Sequence, residues 1–253
     1  MQLFQTTIEN EASYTGIGLH SALPVTVVLR PAPADTGIVF CRTDLPGTPC
    51  VQARASNVTA SMRATTLENG GAKVFTVEHL LAAFAAMDID NCLIDINAVE
   101  PPVADGSAMP FVQLLIDCGK KTLSSYRREI VIKEIHAVRV DTRFIIAVPY
   151  DGFRISFTSV NAHPQIGVQF GDYEITADSF IREIASARTI GFMHEVEALK
   201  KQGLALGGSL DNALVYDDEK ALNIPRFSDE IVRHKILDVV GDLCFQFFTC
   251  KRR

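Results

Sequence analysis

The sequence lacks several features that identify particular classes of protein. Its longest apolar run, residues 80–87, is far shorter than the roughly 20 residues of a membrane-spanning helix. It has no excess of positive charge, because 24 Lys and Arg residues face 30 Asp and Glu residues and leave a formal net charge of −6. This balance excludes a broad electrostatic attraction to nucleic acid or to anionic lipid. We therefore expect neither a transmembrane segment nor a nucleic-acid partner.

The N-terminus and the cysteines lack the features of an exported protein. The first residues show neither the basic start nor the apolar core of a secretory signal. The six cysteines are scattered, with no C-x-x-C pair, which predicts reduced thiols in a cytoplasmic protein. With 47% hydrophobic and 21% charged residues, the composition is that of a globular chain.

Strands precede helices in each half of the sequence, which suggests a duplicated α+β unit. A short echo between residues 77–81 and 232–236 supports the duplication. A polar, basic stretch over 120–128 separates the halves, so we predict domains over 1–124 and 125–253. The predicted strands cover residues 25–29, 37–40, 92–96, 130–132, 138–140, 144–148 and 154–158. The predicted helices cover residues 76–87, capped by Thr76, 110–118, 178–187, 195–202 and 228–243, capped by Ser228.

Two short motifs carry side chains suited to a metal site. His234 and Asp238 are four residues apart, so on a helix they lie on one face. This pair is typical either of a solvated helix face or of two metal ligands. Glu78 and His79 are neighbours on another predicted helix and point about 100° apart. In the metal interpretation His79 is a third ligand, Glu78 reaches the water, and the open fourth position indicates a catalytic site.

Eight short stretches follow one another from about residue 6 to residue 243 in the order found in one enzyme family. They are 16–20 (GIGLH), 29–37 (LRPAPADTG), 76–80 (TVEHL), 101–108 (PPVADGSA), 187–192 (ARTIGF), 207–209 (GGS), 233–238 (RHKILD) and 241–242 (GD). Taken together, they resemble the bacterial UDP-3-O-acyl-N-acetylglucosamine deacetylases, the zinc enzymes of lipid A synthesis.

The resemblance implies a fold and a reaction. The fold is α+β, with two similar α+β domains in a sandwich whose helices pack between two β-sheets. The reaction is zinc-dependent hydrolysis of the N-acetyl group of UDP-3-O-acyl-N-acetylglucosamine, which gives UDP-3-O-acyl-glucosamine and acetate. The partner is a small UDP-sugar lipid. Two histidines and one aspartate accept Fe²⁺ as well as Zn²⁺, so Fe²⁺ is the alternative metal.

The resemblance also assigns roles to individual residues. The residues with implied chemical roles are the metal ligands His79, His234 and Asp238, the general base Glu78, the oxyanion residues Thr189 and Lys235, and Asp242, which matches an acidic residue behind a catalytic histidine. The segment 190–215 matches the acyl-chain passage, although its apolar residues are also typical of an ordinary helix–strand core. The implied substrate-binding residues are Leu19, Met62, Phe157, Ile190, Phe192, Val196, Ala205, Ser209, Ala213 and Val215.

After Leu243 the sequence departs from the family pattern. Relatives continue through a Ser-Gly-His motif whose histidine acts as the general acid, whereas this chain reads CFQFFTCKRR and contains no later histidine. We expect a frameshift or an early stop here, and weakened catalysis. The alternatives are an inactive truncated form that binds zinc or nucleotide-lipid without turnover, a fragment that does not fold alone, and a different zinc amidase. Nothing in the sequence indicates acyl-chain length or oligomeric state.

Overall fold

The computed structural model describes residues 3–61, 63–128 and 130–244, which form both sheets and helices. The strands are β1 (Phe4–Ile8), β2 (Ala12–Ile17), β3 (Pro24–Pro31), β4 (Ile38–Arg42), β5 (Cys50–Gln52), β6 (Val58–Ala60), β7 (Thr66–Asn69), β8 (Ala72–Phe75), β9 (Cys92–Ile96), β10 (Lys120–Tyr126), β11 (His136–Val140), β12 (Arg143–Ala147), β13 (Arg154–Val160), β14 (Val168–Glu174), β15 (Ile190–Phe192) and β16 (Leu214–Tyr216). The helices are α1 (Glu78–Ala86), α2 (Met109–Cys118), α3 (Ala177–Ser179, continued by a π-helical turn over Phe180–Ile184), α4 (Met193–Lys201) and α5 (Glu230–Leu243), and a 3₁₀ turn covers Ala55–Asn57. The predicted α+β class is confirmed.

The largest sheet belongs to the first half of the chain and has the strand order β2-β3-β9-β4-β5. Its strands are antiparallel to their neighbours except β4, which runs parallel to β9. The period-two pattern of β3 buries Val25, Val27 and Leu29 completely, because alternate side chains point to one face of a strand. Strands β6, β7 and β8 form a separate antiparallel sheet in the order of the sequence.

Helices α1 and α5 pack directly against each other in the middle of the core. A Cβ atom at Gly241 of α5 would lie 2.1 Å from the carbonyl oxygen of Glu78 on α1, so only glycine permits this approach. On its other side α5 meets β14, where a Cβ at Gly171 would lie 2.9 Å from Cδ1 of Ile236. One apolar cluster joins these helices to β3 and β9. The helices therefore lie between the large sheet and the β13–β14 hairpin.

The close approach at Gly241 predicts that Gly241→Ala is destabilising. Overpacking of this kind costs about 1–3 kcal/mol in the free energy of unfolding, although alanine is the better helix former by about 1 kcal/mol. The matched control is Gly191→Ala, whose Cβ would meet its nearest neighbour, Cγ2 of Val215, at an ordinary 3.8 Å. Urea denaturation measures both variants. A Gly241→Ala variant as stable as the wild type would contradict the packing described here.

Most predicted elements lie where the sequence indicated, but both predicted helix caps are wrong. Thr76 has a φ of +56° and its hydroxyl donates to Oε2 of the buried Glu100 at 3.2 Å, so α1 begins two residues later. Ser228 also lies outside α5, whose N-cap is Asp229 without a side-chain hydrogen bond. The strand predicted over 130–132 is wrong too, since these residues form no regular element. At Thr76, the hydrogen bond from the side-chain hydroxyl to Glu100 competes with helix capping.

The prediction that the cysteines are reduced thiols is wrong for one pair. Cys41 and Cys50 lie directly opposite each other on β4 and β5 and form a disulfide across nine residues of sequence. The other cysteines in the described ranges, Cys92, Cys118 and Cys244, are free thiols. The register of β4 and β5 determines this pairing, so a search for C-x-x-C motifs cannot detect it.

The stretch around the predicted domain boundary is a strand. β10 covers the polar residues 120–126 and pairs antiparallel with β1, with Ile8 opposite Lys120. The division at 124/125 remains a prediction. In the part of the chain that the structure describes, no helix combines the length and the apolar character needed to cross a bilayer.

Candidate metal centre

The three predicted metal ligands come together between α1 and α5. Nε2 of His234 lies 3.4 Å and Nε2 of His79 lies 3.8 Å from Oδ1 of Asp238. The ligand atoms of all three residues lie within 4.8 Å of one another. The i, i+4 spacing of His234 and Asp238 places both on one face of α5. The packing of α1 against that face adds His79, which no sequence spacing predicts.

Both histidines have lowered pKa values, which favour the neutral form that binds a metal ion. Burial, together with the neighbouring His234, lowers the pKa of His79 to about 3. Burial likewise lowers the pKa of His234. Nδ1 of His234 donates to the carbonyl oxygen of Ala187 at 3.1 Å, which leaves the lone pair of Nε2 facing Asp238. A backbone carbonyl in this position orients a metal-binding imidazole.

Asp238 shows that the cluster fits a cation. Its Oδ2 accepts a hydrogen bond from Nζ of Lys235 at 2.9 Å, whereas its Oδ1 is buried and has no hydrogen-bond partner among the described residues. Burial alone would raise the pKa of Asp238, but His234, Lys235 and His79 together lower it. A buried carboxylate oxygen without a donor is costly, and it faces two imidazole nitrogens. Two nitrogens and one oxygen are the donor set of a catalytic zinc site.

Glu78 lies beside this cluster and is held by the loop before β7. The backbone N–H of Thr65 donates to Oε2 of Glu78 at 3.1 Å. Burial, together with the negative charge of Asp238, raises the pKa of Glu78 to about 8. The hydroxyl of Thr65 donates to Oδ1 of Asp242 at 2.7 Å. Burial raises the pKa of Asp242 to about 6. Thr65 therefore ties two acidic groups of the candidate site together.

Thr65 is a residue that the sequence analysis missed. It follows no motif, and it meets Asp242 across 177 residues of sequence. The turn at Asp105-Gly106-Ser107, which lies in the stretch 101–108 singled out in the sequence, also contributes to the site. A Cβ at Gly106, whose φ is +82°, would collide with the carbonyl oxygen of Asn212, and the carbonyl oxygen of Gly106 accepts from the backbone N–H of Thr189 at 2.8 Å. The turn thus holds Thr189 in place.

Thr189 and Lys235 lie on the two segments of the chain that position His234. Thr189 is half-buried and lies two residues after Ala187, the residue that orients His234. Lys235 follows His234 on α5, and its side chain is 43% exposed. The charge of Asp238 raises the pKa of Lys235 against the opposing effect of burial. The ammonium group of Lys235 therefore contacts the cluster through Asp238, and Thr189 lies on the segment that orients His234.

The predicted acyl-passage residues divide between two faces of the β15–β16 pair. Ile190 and Phe192 pair with Leu214 and Tyr216 and pack on a small apolar cluster that contains the latter two residues. Val215 pairs with Gly191, so its side chain points to the opposite face. Ala213, two residues before Val215, shares that face, and both are buried. The predicted passage residues therefore do not share one face of this pair.

The other predicted substrate residues differ in their burial and in their contacts. Leu19 is half-buried, and its carbonyl oxygen accepts from the N–H of Gly207 at 3.0 Å. Ala205 donates its N–H to Nδ1 of His20 at 3.2 Å. Met62 lies outside the described residues. Phe157 packs on the main core, Val196 is half-buried in α4, and Ser209 is exposed.

The ligand geometry predicts that His234→Ala abolishes tight metal binding. Changes behind a ligand already cost about 10–100-fold in metal affinity, so loss of a ligand costs at least about 100-fold. The control is His194→Ala, because the side chain of His194 is 58% exposed. Competition with a chromophoric chelator measures the Zn²⁺ affinity of both variants. Equal affinity in His234→Ala and the wild type would exclude this cluster as the metal site.

Comparison with known proteins points to one family. A family model described as UDP-3-O-acyl N-acetylglycosamine deacetylase matches residues 5–249. Three curated proteins named UDP-3-O-acyl-N-acetylglucosamine deacetylase are similar to the chain. The protein of Pasteurella multocida (strain Pm70) is 46% identical over 244 residues, which are 94% of this chain and 80% of the relative. The protein of Geobacter sp. (strain M21) is also 46% identical, over 95% of this chain and 80% of the relative. The protein of Haemophilus influenzae (strain 86-028NP) is 46% identical over 94% of this chain and 80% of the relative.

Proposed function

This chain belongs to the UDP-3-O-acyl N-acetylglycosamine deacetylase family, and from that premise we propose that it hydrolyses the N-acetyl group of UDP-3-O-acyl-N-acetylglucosamine. The products are UDP-3-O-acyl-glucosamine and acetate, and the reaction is a step of lipid A synthesis. The observation that carries the proposal is the convergence of His79, His234 and Asp238 beside the carboxyl group of Glu78, with an Asp238 oxygen that has no hydrogen-bond partner in the described part of the chain. Binding without turnover is not favoured, because the ligands and the base lie together.

His79, His234 and Asp238 would hold a divalent metal, which we propose to be Zn²⁺, with Fe²⁺ as the alternative. Such an ion polarises an amide carbonyl group and lowers the pKa of water. With neutral imidazoles and a charged carboxylate, the three ligands carry one negative charge. Such a ligand set binds a divalent cation more favourably than a neutral ligand set would.

Glu78 would take the proton of the attacking water at its carboxylate. Its position is set by α1 and by the hydrogen bond from Thr65, so the carboxylate does not have to reorganise during the reaction. The proton that Glu78 holds is then available to the leaving amine. Proton transfer to and from one fixed group is typical of general acid–base catalysis.

Lys235 and Thr189 would stabilise the negative charge that develops on the amide oxygen. An ammonium group and a hydroxyl group are suitable donors, and fixed donors contribute most where charge appears only in the transition state. The Asp238 carboxylate fixes the Lys235 ammonium group at 2.9 Å, and the backbone of Thr189 is held by Gly106 and Leu214. Leu19, Met62, Phe157 and the apolar residues around β15 and β16 would bind the lipid and nucleotide parts.

Acetate release from UDP-3-O-acyl-N-acetylglucosamine by the metal-loaded protein tests this proposal. We expect acetate and free amine in equal amounts, and we expect His234→Ala to release neither. UDP-N-acetylglucosamine, which lacks the acyl chain, should be a much poorer substrate. A protein that unfolds cooperatively and binds one metal ion, but releases no acetate, would contradict the proposed reaction.

A further inference from the structure

Two segments of the chain are attached to the candidate metal centre by hydrogen bonds. The loop before β7 is attached through Thr65, which is hydrogen-bonded to Glu78, and two residues earlier in this loop is Arg63. The segment before β15 is attached through Ala187, whose carbonyl oxygen accepts from His234. It continues through β15 into α4. Each segment is thus fixed at one end by a residue of the candidate site.

The free ends of the two segments meet in an ion pair. Nη1 of Arg63 donates to Oε2 of Glu195 at 2.8 Å, and Nη2 donates to Oε1 at 3.1 Å. Two parallel hydrogen bonds between a guanidinium and a carboxylate are the most directional form of such a pair. The contact joins residues 132 apart in the sequence. It closes a ring of chain that begins and ends at the metal centre.

Helix α4 depends on such contacts because the core does not hold it. No residue of Met193–Lys201 is buried, so apolar packing contributes little to its position. Glu195 lies in the first turn of α4, next to the half-buried Val196 and three residues after Phe192. The ion pair therefore sets where this apolar edge of α4 lies relative to the loop before β7, which is attached to the metal centre through Thr65.

We propose that the Arg63–Glu195 pair is a positioning contact that holds α4 in a fixed place relative to the metal centre and thereby determines how tightly the acyl chain of the substrate is bound. The proposal rests on the proposed function for the identity of the bound chain and for its place beside α4. The side chains of Arg63 and Glu195 are 50% and 32% exposed, so an isolated pair of this kind contributes little to global stability. Its effect is expected in the position of α4.

Charge reversal with rescue tests the contact without any enzymatic assay. Arg63→Glu and Glu195→Arg each place like charges together, whereas the double variant restores the pair in the opposite orientation. We expect amide hydrogen exchange in α4 to become about fivefold faster in each single variant and to return to the wild-type rate in the double variant. The matched control is Arg30→Glu, which breaks the Arg30–Asp95 pair between β3 and β9 at similar exposure, 41% and 24%.

Steady-state kinetics test the consequence for the substrate. We expect each single reversal to raise KM for UDP-3-O-acyl-N-acetylglucosamine about fivefold, with kcat within about twofold of the wild type, and the double variant to recover. KM for UDP-N-acetylglucosamine should not change. Exchange rates or KM values that do not respond to the single reversals, or that stay altered in the double variant, overturn the proposal. A wild type without turnover refutes the proposed function instead, while the exchange rates still decide whether the pair holds α4.

Discussion

Glu78→Gln is expected to lower kcat for deacetylation by about 10²–10⁴-fold, the usual contribution of a general base. Glutamine has the shape of glutamate, and its amide oxygen can accept the hydrogen bond that the Thr65 N–H donates to Oε2 of Glu78. It cannot take a proton from water. The three metal ligands are untouched, so the variant should bind Zn²⁺ with wild-type affinity. Acetate release and chelator competition on the same preparation measure both properties.

The control for this prediction is Glu68→Gln. Glu68 lies on β7, and its side chain is 49% exposed and forms a surface ion pair with Nζ of Lys73 at 3.5 Å. Because Glu68 is not part of the candidate site, its substitution should leave kcat unchanged. A Glu78→Gln protein that keeps more than about a tenth of the wild-type kcat would remove Glu78 from the proton transfer. Loss of both activity and metal would mean that the substitution disturbs the ligands instead.

Arg188→Met is expected to have the largest effect on stability. Arg188 and Glu230 form a buried ion pair, with side chains 7% and 1% exposed. Nε of Arg188 donates to Oε1 of Glu230 at 2.8 Å, and Nη2 donates to Oε2 at 3.1 Å. Removal of one partner leaves a buried charge without compensation, which costs about 3–5 kcal/mol. Urea denaturation should show this loss, whereas Arg30→Met, at a more exposed pair, should lose at most about 1 kcal/mol.

The loss in Arg188→Met should depend on pH in a defined direction. Burial raises the pKa of Glu230, but the hydrogen bonds from Arg188 and Arg226 outweigh burial and lower it below the ordinary value. A carboxyl group whose folded-state pKa is lowered contributes its full stabilisation above the unfolded pKa of about 4.3. That contribution disappears as the pH falls through the folded-state pKa. The difference between wild type and variant should therefore be larger at pH 7 than at pH 4, and an equal difference at both would contradict the ion-pair account.

Local patterns of sequence predict the parts of the site that lie on one element. The pair His234 and Asp238 follows from the helical period, and Glu78 and His79 share a helix for the same reason. Helix α2 ends at Cys118, as predicted. The glycine that follows it, Gly119, has a φ of +72°, which is typical of a residue that ends a helix. These predictions concern neighbours in sequence, whose relative positions the backbone period determines.

Contacts between distant segments could not be predicted in this way. Thr65 binds Asp242 because the loop before β7 lies against α5, and the Cys41–Cys50 disulfide follows from the register of β4 and β5. Thr76 illustrates the opposite error, because a residue with good capping propensity has its hydroxyl engaged by Glu100 instead. In each case tertiary packing decides, and a single sequence carries no local signal of it.

Titration of the metal-free protein with Zn²⁺, followed by acetate release, tests the central claim most directly. That claim is that His79, His234 and Asp238 hold the metal on which deacetylation depends. We predict no activity without metal, a linear rise, and a plateau at one equivalent of Zn²⁺ per chain. His234→Ala should remain inactive at that point. Full activity in the metal-free protein, or equal activation of the His234→Ala variant, would contradict the account.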